Sequence, residues 1–514
     1  MRFAVLYGGV VADWQGRCLA ALAALPELKA VASLAPEPER AALSGAPVGT
    51  LAPEAIDRLQ ALALDFILCF MDGPLPARLI ELPRHGIWRY VLGDWANYRG
   101  APGGFWEVFD GCAASAVLLV RVSPDPDVVE VLREGVLRTQ PLSVRKNRQQ
   151  LLGRFTHWPA QICREILAGG AGHAGARERA QPALRRGARI RPPPAAWQRV
   201  LLGGRIALRA ASIGLRSLFR HDQWNIGIVD QPIEQFLSAG ARARTRWLPA
   251  TRRAELRADP FGTLRGGTPV ILCEHFSYRD NVGYIVAIDA AGERVAGGDE
   301  GAPDGRLQMG PARSVHLSYP YLFEEGGRLF CVPESSAAAE IVVYEALRFP
   351  DRWIKRWTLV AGRGFVDATV FQYEGRWWLA ASEVAPKGAN SELHLWFAEE
   401  LAGPWAAHPG NPVKIDVRSA RPAGAPFWAG GILYRPAQDC SNTYGARVVL
   451  NRVLVLTPGA FCEEAAATVD PDPKGRYPGG LHTLSKLGNQ TLIDGKRSVF
   501  VAAEFFRVLA HYLT

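Results

Sequence analysis

Acidic and polar side chains return at fixed offsets through the second half of this sequence, and that spacing is the first sign of chemistry. Asp259 opens the phrase Asp-Pro-Phe-Gly-Thr-Leu-Arg-Gly-Gly-Thr-Pro-Val-Ile-Leu-Cys-Glu, which closes at Glu274. Tyr319 opens a second copy, with its glycine pair and its closing Glu334 at the same offsets. A third copy runs from Asp367, turns at Gly375-Arg376 and reaches Glu383. A fourth passes Arg421 and Phe427, turns at Gly430-Gly431 and reaches Gln438 and Asp439. Gathered carboxylates suit glycosyl transfer: one acid protonates the leaving oxygen, another acts as base or nucleophile, and both stabilise an oxocarbenium-like state. Asp259, Glu334, Asp367 and Glu383 are therefore expected to be catalytic. Glu274, Arg421, Arg435, Gln438, Asp439, Tyr444 and His482 are expected to bind substrate, the arginines by bidentate contact with a phosphate or a sugar carboxylate. Nothing in the spacing reads as a metal site, and no cofactor is expected.

Residues so far apart in the chain meet only if the fold brings them together. Each copy is an apolar strand, a tight glycine turn and a second apolar strand ending in a polar group, repeating about every 50 to 60 residues, as blades of a β-propeller do. Closing the ring would carry one fixed offset of every blade to the central axis. Five blades are expected in residues 222–514, opening near Asp259, Ser318, Asp367, Arg421 and His482. Residues 1–168 read differently. Apolar runs at 3–7, 30–34 and 66–70 alternate with helical ones at 18–25 and 56–64, the pattern of an α/β domain with a largely parallel sheet. Between the two, residues 169–221 hold a glycine-, proline- and arginine-rich linker and a helix, residues 197–220, with Trp197, Leu201, Leu208 and Leu215 set against Arg199, Arg205, Arg209 and Arg216. Such a helix packs between domains or lies in a membrane interface. The expected fold class is α/β plus all-β, a Rossmann-like domain followed by a five-bladed propeller.

Composition narrows the function classes. The chain has 514 residues, a net charge of +9 and 15 tryptophans, a residue suited both to sugar stacking and to packing between blades. The positive charge crowds residues 177–220 and 242–257, and with no nucleic-acid motif beside it, it points to anionic lipid or a phosphorylated substrate rather than to nucleic acid. Eight cysteines lack any CxxC pattern, and Cys273 and Cys331 sit in apolar runs, as small buried hydrophobes of a reducing compartment do. The first residues suit a strand better than a secretory signal, and no run is long enough to span a bilayer. A cytoplasmic protein, with peripheral membrane contact through residues 197–220, is the resulting expectation.

Two resemblances add to this reading. The segment from Gly86-Ile-Trp-Arg to Tyr98-Arg-Gly-Ala-Pro102 resembles the core of the formyltransferase family, and the likeness covers roughly residues 1–140. It implies that family's fold but not its activity. Arg89 stands where the family places its catalytic asparagine, Val91 where it places its histidine, and Arg133-Glu-Gly135 where it places Asp-x-Gly. Formyl transfer needs a polar group on the carbonyl oxygen and a base for the amine proton, and valine supplies neither.

Residues 222–500 resemble the N-terminal, propeller-like domain of plant glucosamine inositolphosphorylceramide transferases and its bacterial relatives. The words that carry this are Ser318-Tyr-Pro-Tyr-Leu-Phe, Val332-Pro-Glu-Ser335, Asp367-Ala-Thr-Val-Phe, Gly403-Pro-Trp405, Arg421-Pro-Ala-Gly424, Arg435-Pro-Ala-Gln-Asp-Cys-Ser-Asn-Thr-Tyr-Gly445 and His482-Thr. The plant proteins also carry a separate transferase module with no counterpart in the segments read here. More distantly the blades resemble five-bladed glycosidases of the arabinanase and fructosidase type, which implies Asp259, Asp367 and one of Glu334 or Glu383 as a catalytic set. The expected function is a glycosyltransferase of polysaccharide or glycolipid biosynthesis, taking an activated sugar donor and a glycan or lipid-linked acceptor. A non-catalytic glycan-binding or scaffold protein is the alternative, and a formyl or acyl transferase the third.

Overall fold

In the computed structural model the chain forms two units, Met1–Ala210 and Ala211–Thr514. The structure describes all residues except 9–10, 35–47, 50–52, 94–97, 100–102, 125–128, 170–188, 239–243, 253, 280, 296–305, 310–314, 385–387 and 501–514. Most of the glycine-rich linker and most of the Tyr98–Pro102 word therefore lie outside the described residues.

The first unit is built on nine strands: β1 (Arg2–Leu6), β2 (Lys29–Leu34), β3 (Val48–Gly49), β4 (Phe66–Cys69), β5 (Ile87–Leu92), β6 (Tyr98–Arg99), β7 (Ala114–Val122), β8 (Val129–Arg138) and β9 (Arg189–Ile190). Seven of them make one sheet in the order β3-β2-β1-β4-β5-β7-β8, parallel through β5 and antiparallel beyond it. The order 3-2-1-4-5 is that of a Rossmann-type sheet. Its central strands are nearly all apolar because helices cover both faces of a parallel sheet, and Phe66-Ile-Leu-Cys69 is buried throughout. The described helices are α1 (Asp13–Ala23), α2 (Pro53–Gln60), α3 (Ala77–Ile80), α4 (Trp106–Asp110), α5 (Val144–Arg154), α6 (Trp158–Leu167) and α7 (Ala196–Phe219), the last running past the end of the first unit at Ala210. None of the described helices is long and apolar enough to cross a membrane.

The second unit is a five-bladed propeller. In chain order the strands are β10 (Arg220–Val229), β11 (Thr245–Trp247), β12 (Glu255–Arg265), β13 (Thr268–Ser277), β14 (Val282–Ile288), β15 (Ser318–Glu325), β16 (Arg328–Glu334), β17 (Glu340–Arg348), β18 (Arg352–Ala361), β19 (Phe365–Tyr373), β20 (Arg376–Glu383), β21 (Glu392–Ala398), β22 (Ala406–Ala407), β23 (Lys414–Ile415), β24 (Phe427–Ala429), β25 (Ile432–Asp439), β26 (Arg447–Thr457), β27 (Ala460–Val469), β28 (Leu484–Leu487) and β29 (Gln490–Phe500). Strands β12–β14, β15–β18, β19–β23 and β24–β27 form four blades, and the fifth combines β28 and β29 with β10 and β11. In that closing blade Arg220 to Val229 pair with Phe500 to Thr491, so the two ends of the unit are stitched along ten residue pairs.

Hydrogen bonds complete a circuit around the ring. Thr483 of the closing blade donates to Asp259 (2.7 Å), Tyr319 N donates to Asp259 (3.3 Å), and the Tyr319 hydroxyl meets Thr369 (3.0 Å). Asp367 is held by Arg421 and Gln438, and Leu484 N returns to Ala423 O at 2.8 Å. Apolar contacts fill the seams. Trp377 and Trp396 lie in the core shared with Phe261 and Tyr319, Trp378 packs with Leu433, and Trp353 packs with Leu272 and Leu317. Cys273 and Cys331 are fully buried free thiols in these layers.

Candidate functional site

Three first strands share one irregularity, and it aims the site. In each, one extra residue interrupts the pairing: between Ala258 and Phe261, between Ser318 and Tyr321, and between Val366 and Thr369. The residue after each break has a positive φ: Asp259 at 53°, Tyr319 at 44° and Asp367 at 54°. A bulge re-aims a side chain, and left-handed backbone at a non-glycine residue persists only where the surroundings enforce it. Here the enforcement is visible, because Asp259 and Asp367 each end in a network of buried donors.

The first network joins the closing blade to β12. Asp494 on β29 accepts from His482 N (2.9 Å), Thr483 N (3.0 Å) and Asp259 N (3.1 Å), and its Oδ2 lies 2.5 Å from His482 Nδ1. His482 Nε2 in turn lies 3.6 Å from Asp259 Oδ1. Burial alone would lower the His482 pKa, but the charges of Asp494 and Asp259 outweigh it and raise it. Burial likewise would raise that of Asp494, and His482 outweighs it and lowers it. Trp224 stacks on His482 with ring centroids 4.0 Å apart, and the Tyr444 ring meets the same imidazole edge-on at 5.2 Å.

The second network fixes Asp367. Arg421 reaches both its oxygens, Nε to Oδ2 at 2.5 Å and Nη2 to Oδ1 at 3.1 Å, and Gln438 Nε2 adds a third bond at 2.7 Å. Arg421 Nη1 goes to Asn390 (3.0 Å), and the guanidinium lies 5.1 Å from the centre of the Tyr444 ring. The charge of Asp367 thus has a bidentate partner, the strong form of such a pair.

Between these networks stand two carboxyls that no lysine or arginine pairs among the described residues. Glu334 accepts from Ser336 Oγ at 3.1 Å. Burial first, and then the charge of Asp367, push its pKa from 4.5 up to about 8. Glu274 faces His316 Nε2 at 3.4 Å. Gly283 N donates to His316 Nδ1 (2.9 Å), which leaves the ring proton on Nε2, toward the carboxyl. Burial, Asp259 and Glu334 raise Glu274 well above its ordinary value. Asp259 is itself raised to about 6, by burial first, with His482 pulling it back down. Burial thus keeps the proton on Glu334 at neutral pH and pushes Glu274 in the same direction, while His482 pushes Asp494 the opposite way. Pairs of titratable groups pushed apart by their surroundings are how sites divide acid from base.

The structure brings Asp259, Glu274, Glu334, Asp367, Arg421, Gln438, Tyr444 and His482 into this one region. It places three other expected residues elsewhere. Glu383 is one residue out of register: Ala258 pairs with Glu274 and Ser318 with Glu334, but Val366 pairs with Ser382. Because a strand alternates faces, a shift of one turns the side chain away. Glu383 instead pairs with Arg363, with His394 Nε2 at 3.7 Å. Arg435 is not at a substrate. It donates to Glu463 through Nε (2.8 Å) and Nη2 (2.6 Å) and to the carbonyls of Ala420 and Ser419, a buried pair that also takes Lys414. Asp439 serves its own loop, accepting from Ser441 N (2.9 Å) and Oγ (2.6 Å), with Arg447 3.6 Å away. Nor does Arg421 present a fork to a phosphate, since Asp367 and Asn390 engage Nε, Nη1 and Nη2. The Cys440 thiol is pushed up by burial and points at Gln438, an unreactive setting.

Sequence reasoning missed Asp494, Trp224 and Asn390. The signal for Asp494 was present, an acid inside the apolar run Leu492-Ile493, where an unpaired charge would be too costly to bury.

In the first unit the positions of interest have partners within the unit. Arg89 donates to Gly73 O (2.8 Å), Val91 packs on Leu118 and Val120, and Arg133 pairs with Glu165.

Residues 258–501 match the protein family described as Glucosamine inositolphosphorylceramide transferase 1, N-terminal. The chain is 33% identical over 210 residues to Glucosamine inositolphosphorylceramide transferase 1 of Oryza sativa subsp. japonica, which is 40% of this chain and 27% of the relative. The chain thus spans about a quarter of that relative's length. It is 26% identical over 122 residues to Methionyl-tRNA formyltransferase of Geobacter sulfurreducens, 24% of this chain and 38% of the relative. Among solved structures, glycinamide ribonucleotide transformylase 1 from Symbiobacterium toebii aligns with 33% of this chain and 88% of its own, at 14% identity and a TM-score of 0.29.

Proposed function

We propose that this chain, a formyltransferase-like unit joined to a propeller that resembles the N-terminal domain of glucosamine inositolphosphorylceramide transferases, transfers sugars in glycolipid or polysaccharide assembly, with the propeller cluster as its active site. The observation that carries this reading is the division of protons at the cluster. Glu334, held up to about 8, keeps a proton at neutral pH and has one oxygen engaged by Ser336, which suits it to protonate a leaving oxygen. Asp259 ionises at about 6, so at neutral pH it is the base for an acceptor hydroxyl. Asp367, positioned by its bidentate contact with Arg421, stabilises the cationic sugar of the transition state. Tyr444, half-buried beside Arg421, supplies the aromatic surface against which a pyranose packs. The donor is an activated sugar, the acceptor a glycan or lipid-linked saccharide, and the site of action the cytoplasm.

A second reading, a glycan-binding protein without turnover, draws on the depth of the cluster. Asp259, Asp367 and Asp494 already accept from protein donors, as groups that stabilise the ring would. A thermal-shift screen of the whole chain against nucleotide sugars, polyprenyl-phosphate sugars and free glycans separates the two, since a ligand raises the melting temperature by mass action. Sugar transfer is supported by stabilisation from an activated donor that is then consumed. Stabilisation by free glycans alone supports the second reading and overturns the first.

A further inference from the structure

Helix α7 carries two apolar faces, and only one is used. Leu202 is buried among Phe105, Trp106, Val108 and Phe109, with Ile206 beside it. Arg205 and Arg209 fasten that face further, donating to the carbonyl of Phe109 at 2.8 and 3.1 Å from the end of α4. Among the described residues nothing covers the other face. Trp197, Leu201, Leu208 and Leu215 follow at steps of four, seven and seven, which at 3.6 residues per turn sets them within about 40° of one another. Trp197 is 64% exposed, Leu208 74% and Leu215 63%, with Val200 beside them at 78%. Leaving that much apolar surface in water is unfavourable at about 25 cal/mol per Å².

Charge decides what covers it. The 24 residues of α7 include Arg199, Arg205, Arg209 and Arg216 and no acid. A second copy of the helix laid on this stripe would bring arginines together without a carboxylate to pair them, which coiled-coil partners avoid. An anionic lipid surface supplies the missing negative charge, with the apolar stripe at acyl depth and the helix's exposed positive charge drawn to the headgroups. Arg216 is exposed and flanks the stripe about 60 to 100° around the helix, and Arg199, exposed on the far side, adds to the positive field of the helix. We propose that α7 is a membrane-surface helix which docks this protein on anionic bilayers by inserting Trp197, Leu201, Leu208 and Leu215.

The test is flotation of the whole chain with vesicles of phosphatidylcholine alone and of phosphatidylcholine mixed with phosphatidylglycerol, at low and high salt. The parent should float with the mixed vesicles, at least roughly tenfold more weakly with the neutral ones, and more weakly as salt rises. Leu208→Glu combined with Leu215→Glu changes only exposed positions and should lower binding by roughly tenfold or more while the melting temperature holds. Arg199→Gln with Arg216→Gln should reduce the preference for phosphatidylglycerol and leave the residual neutral binding in place. Equal binding by the Leu208/Leu215 double variant and the parent would overturn the proposal. So would no binding to the mixed vesicles, or a parent dimer in solution that the double variant splits, which would make a second copy the occupant.

Discussion

Replacing Glu334 by Gln isolates one proton. Burial and the charge of Asp367 hold the Glu334 carboxyl at about 8, against 4.5 when it is free in water. At about 1.4 kcal/mol per pH unit that gap corresponds to about 5 kcal/mol. The folded chain keeps this proton while the unfolded chain releases it near 4.5. The stability tied to Glu334 is therefore complete below that pH and is lost as pH rises toward 8. Glutamine keeps the shape and the bond from Ser336 but has no proton to release. The parent and Glu334→Gln should thus melt together near pH 5. By pH 8 the variant should stand about 4 kcal/mol above the parent, on the order of 8 °C for a unit of this size. Differential scanning calorimetry of both proteins from pH 5 to 8 measures this, read on the transition that the substitution moves. Two curves that run parallel across the range would refute the reasoning, because Glu334 would then be ionised or exposed in the folded state.

Other outcomes follow from the same geometry. Arg421→Met leaves Asp367 buried without its cation and should cost about 3 to 5 kcal/mol in urea unfolding; a loss under 1 kcal/mol would mean that water reaches the carboxylate. Asp367→Asn should also destabilise the propeller, since it strands Arg421, so its effect on activity is interpretable only beside a melting curve. Gly424 has φ of 135°, and a Cβ there would sit 1.9 Å from Leu484 O, so Gly424→Ala should break the seam between the fourth and closing blades and lower the melting temperature; an unchanged melting temperature would show that the seam can shift. The chain should transfer no formyl group from a formyl-folate, because Arg89, Val91 and Arg133 are turned to other uses, and detectable transfer would contradict that.

The propeller was legible because its repeats keep turn, strand and polar residue at constant offsets, and only ring closure joins such positions. Register was legible less well. Glu383 lies one residue past the position that Glu274 and Glu334 occupy, and the alternation of a strand makes that single step decisive. The bulges that aim Asp259 and Asp367 leave no mark in the sequence beyond an acid where a strand residue is expected. Asp494 was hidden by distance, since its bond to Asp259 N spans 235 residues of chain. Arg435 and Asp439 looked like ligands for a substrate because they sit in a polar word, yet Glu463 and Ser441 claim them. In the first unit the sheet could be read from its apolar runs.

The central claim, that the propeller cluster transfers sugar with Glu334 as its acid, is tested most directly by a paired measurement on the parent and Glu334→Gln. Donor binding is followed by thermal shift, and transfer of labelled sugar to a lipid-linked acceptor is followed in the same preparations at neutral pH. The account predicts that both proteins bind the donor and that the variant transfers roughly a hundredfold or more slowly, the scale of a lost general acid. Transfer by the variant at the parent's rate, or donor binding by the parent with no transfer to any acceptor, would contradict it.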